Sequence, residues 1–260
     1  MSTEAPAPAI SVLVGGVGEL YQGDLDVGRR LVERLGDEEL GSHVAVEDLH
    51  YGAVAVAQRL DEARPSTLVL VGAATRGRTP GTVERKVVRK ERLELTAQEL
   101  QGAIGDAVTG YVTIDLVIEV AHALGVLPPH IVIVEVEPVR TGPEDQLSPE
   151  MAGSVDDILG LVRTEIRRAP LVELGARLRE MVAGDRLEPS PAVAELRSLL
   201  AALESLEACG RWGSAFAHRD RLRALIGSGH AAAGMDHLDW ALWWALLAEL
   251  DRLQALESEP

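Results

Sequence analysis

The chain has 260 residues, 47% hydrophobic and 25% charged, which excludes wholesale disorder and allows one large domain or a domain with an annex. Its 41 acidic residues against 25 basic ones give a formal charge of −16, which argues against nucleic-acid and anionic-membrane partners. One cysteine, Cys209, excludes an internal disulfide framework and a cysteine-rich metal site, and no apolar run approaches the roughly 20 residues that span a bilayer.

Residues 1–9, MSTEAPAPA, read as a disordered tail with no basic start and no apolar core of a signal, so a cytoplasmic location is expected. AISVLV (9–14) reads as a buried strand, and Asp26 to Leu35 as a helix. HVAVEDL (43–49) is the second strand and 53–63 the second helix. STLVLVGA (66–73) is a third apolar run, and TVERKVV (82–88) alternates like a half-exposed strand. Residues 112–124 look helical, and HIVIVEVEP (130–138) is a further strand. Ser148 then stands as an N-cap, Pro149 at the first helical position and Glu150 in the first turn. Strands alternating with helices predict a three-layer α/β/α domain over 10–168 with a mostly parallel sheet. Ligands on such sheets sit at the carboxyl ends of the strands.

Beyond Pro170, Gly184, Pro189 and Pro191 the pattern changes. PAVAELRSLLAALESL and MDHLDWALWWALLAELDRLQAL are amphipathic, and 171–256 reads as an all-helical annex. Trp240, Trp243 and Trp244 fall on one helix face, read as packing. His218, His230 and His237 lack metal-site spacing and read as surface residues. The basic run 84–94, with Arg85, Lys86, Arg89, Lys90 and Arg92, reads as a solvated face.

After the first strand, Gly16 and Gly18 begin a dinucleotide fingerprint, but Tyr21 stands where its third glycine belongs. The longer stretch VLVGGVGELYQGDLDVGRRLVERL (12–35) resembles the opening of the hydrogenase maturation endopeptidase family: a strand, a G-x-G turn, an acidic loop, then a glycine before the first helix. Gly16, Gly18, Asp24 and Gly28 fall in step with it. VAVEDLHYG (44–52) is similar to the family's second strand and turn, with Asp48 at its acid. LVLVGAATRGRTPGTV (68–83), TGYVTIDLVIEVAHALG (109–125) and IVIVEVEPVRTGPEDQLSPEMAGSV (131–155) follow the later segments in order, so the resemblance covers about residues 9–168.

That resemblance implies a peptidase that trims the C-terminal tail of the [NiFe]-hydrogenase large subunit, with nickel met through the substrate protein. It also implies three metal ligands: the second acid of the first loop, an aspartate ending the third strand, and a histidine before the later helix. Here those positions hold Leu25, Gly72 and Tyr111, and the family's loop asparagine is Glu19. Leucine and glycine offer no donor atom, and a protonated tyrosine is a poor ligand. The expectation is therefore a catalytically impaired scaffold or checkpoint that binds the large subunit or its assembly proteins, with no cofactor assigned and no membrane insertion. Two alternatives stand beside it. One is an active peptidase with a relocated metal site built from Glu19, Asp24, Asp26 and His50; the other is a small-molecule binder on the same rim. Tyr21, Tyr51 and Tyr111, with Asp48, are expected to form a binding rim around the vacated position.

Overall fold

The apolar runs become the strands of one sheet in the computed structural model, which describes residues 10–90, 93, 105, 112–183 and isolated positions beyond 190. The strands are β1 (Val12–Gly16), β2 (Val44–Asp48), β3 (Thr67–Ala73), β4 (Val83–Val88) and β5 (His130–Val136). Their order is β2-β1-β3-β5-β4, with β4 alone antiparallel. Register aligns the strand ends: Gly16 faces Asp48 and Val71, and Gly72 faces Glu135. The loops that leave β1, β2 and β3 therefore start from one edge.

Alternate residues of the central strands face opposite layers. Leu13, Leu68, Leu70, Ile131 and Ile133 share a buried cluster with Ala53, Val56, Ala57 and Leu60 of α2 (Ala53–Ala63) and with Val117, Val120 and Ala121 of α3 (Ile114–Ala123). The opposite layer holds α1 (Val27–Gly36) and the start of α4 (Pro149–Ala183). Arg34 reaches Asp156 at 2.7 Å, and Arg163 forms a two-pronged pair with Glu38 at 2.7 and 2.9 Å. In α1 the residues Val27, Leu31, Val32 and Leu35 recur at helical spacing and are buried, whereas Glu33 and Arg34 face water. Leu13 is fully buried, so its truncation to alanine costs about 3 kcal/mol through lost transfer energy and a residual cavity.

The helix starts follow local chemistry. Thr113 Oγ1 accepts from Leu116 N at 3.1 Å and caps α3. Ser148 Oγ accepts from Met151 N at 3.2 Å and caps α4, with Pro149 at its first position, as the sequence predicts.

The chain divides into two compact units, 1–166 and 167–260. Pro170 lies inside α4, so this proline does not break the helix as the sequence pattern suggests. In the second unit the described positions between 194 and 251 are helical, Leu200 and Leu247 are buried, and Arg223 pairs with Asp251. The tail 1–9, the four tryptophans, Cys209, His218, His230, His237 and most of the expected annex lie outside the described residues. No helix among the described residues is long and apolar enough to cross a membrane.

Candidate functional site

At the carboxyl edge the chain backbone folds against itself with no room for side chains. A Cβ added to Gly28 would lie 2.5 Å from Val71 O, and one added to Gly18 would lie 2.6 Å from Leu25 O. One on Gly16 would collide with Gly28 O. The first-loop glycines thus serve close approach of β1, the following turn and α1, which is the packing reading of the partial G-x-G fingerprint.

The same crowding decides position 72. A Cβ there would come under 3.0 Å from Val17 O, a backbone atom, and 3.3 Å from Ile114 Cδ1. Val17 N in turn donates to Val71 O at 2.9 Å, which holds this residue against the end of β3. An aspartate does not fit at the end of β3 with this backbone.

Val17, Gly18, Leu25, Ala73 and Ala74 border a cleft of about 220 Å³, closed on the other side by Val112 and Ile114. Leu25 therefore lines this space, and Gly72 lies behind it, where a Cβ would meet Val17 O and Ile114 Cδ1 of the lining residues. Tyr111, the third position, lies outside the described residues. The charged side chains bordering the cleft are Glu19, Arg76 and Asp115.

The three acids and the histidine proposed for a relocated metal site are not brought together. Asp24 is fully buried and turns away to the segment after β5. Its carboxylate accepts from Val139 N and Arg140 N at 2.9 Å each, from Ser148 N at 2.7 Å and from Ser148 Oγ at 2.9 Å. Four donors exhaust its capacity, so Asp24 is a clamp between the first loop and the entry to α4. Bridges Gln22–Glu144 and Gly23–Thr141 extend the same seam. Asp26 is 3% exposed and gripped by Arg29 at 2.6 and 2.8 Å and Arg30 at 3.2 Å. His50 Nδ1 lies 2.8 Å from Asp48, whose Oδ1 also accepts from His50 N. Among the described residues no three His, Cys, Asp or Glu side chains are grouped as a metal site. Among the described residues the donor set on this rim does not fit the ion that the resemblance implies.

A second polar centre escaped the sequence reading. Glu135 and Glu137 alternate on β5 and its exit, and both are buried. Glu135 is paired with Arg76 at 3.0 Å and Lys86 at 2.5 Å, and Arg78 Nη2 lies 3.0 Å away but off the line of a hydrogen bond. Burial alone would push the Glu135 carboxyl up; the Arg76 guanidinium and Lys86 ammonium outweigh it and hold the group below the usual carboxylate range. Glu137 accepts from the amides of Arg76 and Gly77 at 2.9 and 3.1 Å and from Arg78 Nε at 3.2 Å. Its burial is likewise outweighed by these donors, and its pKa is lowered. Two strand acids thus hold the loop between β3 and β4. Arg76 continues to Asp115 at 2.7 and 2.8 Å, joining that loop to the first turn of α3. The signal was present as V-E-V-E-P beside R-G-R, acids at alternate positions of an apolar strand facing a basic loop. The basic run is also less solvated than expected, since Arg85 is bound to buried Glu165 at 2.7 Å and Lys86 to Glu135.

The expected aromatic rim is described in part. Tyr21 is 66% exposed and Tyr51 47% exposed, in the loops after β1 and β2, with Leu20 and Val54 also exposed near them in sequence. Tyr21 holds a left-handed backbone (φ 60°) that non-glycine residues rarely adopt. Partial burial, with Glu47 next in effect, raises the Tyr51 phenol above its ordinary value, which keeps it protonated.

No family model matches the sequence, and no curated protein matches it. Among solved structures the chain is similar to an endopeptidase from Escherichia coli at 24% identity, over 61% of this chain and 93% of that one, with a TM-score of 0.45. It is similar to a hydrogenase 2 maturation peptidase from Thaumarchaeota archaeon SCGC_AB-539-E09 at 21% identity, over 58% and 94%, with a TM-score of 0.42. A [NiFe] hydrogenase maturation protease, HycI, from Thermococcus kodakarensis KOD1 is similar at 18% identity, over 60% and 90%, with a TM-score of 0.43.

Proposed function

We propose that this chain is a hydrogenase maturation protease-like protein that binds a [NiFe]-hydrogenase large subunit, or a protein of its assembly, without cutting it. The reading rests on five sequence segments in the family's order and on the α/β fold whose strand ends carry the matched loops. The observation that carries the loss of cleavage is local: Leu25 lines the cleft, and Gly72 has no room for a carboxylate beside Val17 O. The acids of a relocated site are committed elsewhere, Asp24 to the Val139–Ser148 segment and Asp26 to Arg29 and Arg30. Nickel belongs, on this reading, to the bound substrate protein, and this chain's residues supply shape and charge around it. The work of such a protein is to hold an uncleaved precursor until another peptidase acts, in the cytoplasm where the precursor is assembled.

The test is to incubate the purified chain with a nickel-loaded large-subunit precursor. The expected result is co-elution with the precursor tail intact. Tail release by this chain alone overturns the scaffold reading, and absence of association overturns the partner.

A further inference from the structure

The acids of the first two rim loops are not alike. Asp24 is saturated by backbone and hydroxyl donors, Asp26 by arginines, Glu47 by Arg59 at 2.5 Å and Asp48 by His50. Glu19 is the exception: its carboxylate has no hydrogen-bond or ion-pair partner among the described residues. It is half-buried and borders the cleft together with the apolar Val17, Leu25, Val112 and Ile114 and the polar Thr75 and Thr113. A carboxylate partly withdrawn from water beside apolar walls, with no donor of its own, is stabilised by any cation that enters.

The other charges at the cleft do not cancel that demand. Arg76 spends its guanidinium on Asp115 and Glu135, so it presents no unmatched positive charge to a ligand. The chain as a whole carries −16, which draws basic segments toward it over a Debye length. A bare divalent ion is not the match, because among the described residues Glu19 would be its one uncommitted carboxylate on this rim and such ions need several donors. Lysine and arginine side chains are the match: each carries an apolar stem that lies along apolar walls and a cationic head that meets one carboxylate.

We propose that this cleft is a subsite for a lysine or arginine side chain of a partner polypeptide, with the stem against Leu25 and Val17 and the cationic head on Glu19. The proposal rests on the scaffold reading only for the identity of the polypeptide. It gives the vacated position a use: a basic side chain occupies the space that a metal ion would otherwise need.

The experiment titrates the full chain with N-acetyl-arginine amide, N-acetyl-lysine amide and the neutral N-acetyl-norleucine amide, followed by backbone amide NMR shifts. The expected result is saturable shifts at Val17, Glu19 and Leu25, with at least tenfold tighter binding of the basic probes than of the norleucine probe. Glu19→Gln is expected to abolish that preference, and 0.5 M salt to weaken it. Glu19 has no partner to lose, so the variant should melt with the parent; if it does not, Leu25→Trp, which fills the cleft, is expected to remove the shifts instead. Equal affinity for basic and neutral probes, no shifts with any probe, or a preference unchanged in both variants overturns the proposal. The two readings separate cleanly. Precursor co-elution without probe binding removes the subsite alone, and probe binding without co-elution removes the hydrogenase partner alone.

Discussion

Two acids five residues apart in one loop behave in opposite ways. Asp24 is fully buried and receives four hydrogen bonds that tie the loop to the start of α4, whereas Glu19 borders an open cleft with no partner among the described residues. The seam around Asp24 and the glycines Gly16, Gly18 and Gly28 is dense backbone packing. The cleft beside it is bordered by Leu25 and Glu19 at the positions where the resemblance implies a metal ligand and an asparagine. The contrast teaches that one loop can carry two kinds of residue: Asp24 and the glycines close the sheet edge through backbone contacts, and Glu19 and Leu25 border space.

The sharpest way to break that contrast is to force chemistry back into the packed side. Gly72→Asp places a carboxylate against Val17 O, combining overpacking with an unpaired buried charge, and should cost about 4 kcal/mol or more in urea denaturation. A midpoint equal to the parent's, with metal uptake, would show that the backbone yields and the site can be restored. Next in size is Asp24→Ala, which leaves the amides of Val139, Arg140 and Ser148 without their acceptor and should cost about 3 kcal/mol, whereas Glu19→Gln should change stability by less than about 0.5 kcal/mol. Equal losses at both acids would erase the difference between the two regions.

A pH series probes the Glu135–Glu137 centre. Both carboxyls are held below the usual range in the folded chain, so their contribution is fully present above the unfolded value of about 4.3 and is lost as pH falls through their lowered folded values. The urea midpoint should stay level from these groups between about pH 7 and 5 and decline below about pH 4, and Glu135→Gln should flatten part of that decline. A small effect of opposite sign is expected at Tyr21. Tyr21→Gly relieves the left-handed backbone and should stabilise by about 0.5–1 kcal/mol, offset by the added freedom of glycine in the unfolded chain.

The sequence made the sheet legible because its central strands are buried on both faces and read as continuous apolar runs, as in Val12–Val14 and Leu68–Val71. The Ser148–Pro149 helix start was legible because capping is local chemistry. The roles of Asp24 and Asp26 were not. Their partners at Val139, Arg140 and Ser148 lie over 110 positions away for Asp24, and a surviving acid in a rim loop looks the same in sequence whether it clamps a backbone or faces a ligand. Gly72 was legible as a residue without a donor, but the reason a side chain does not fit there is a tertiary contact with Val17 O. Glu135 was overlooked because an acid in an apolar strand reads as an exposed alternate position, while here its charge is buried and met by Arg76 and Lys86.

The central claim is that this rim holds no metal ion of its own. Its most direct test is the metal content of the full chain, purified without chelator and dialysed with nickel or zinc. Less than a tenth of an equivalent bound, with no change on Asp24→Asn or Glu19→Gln, is the expected result. One tightly held equivalent that disappears in either variant would contradict it.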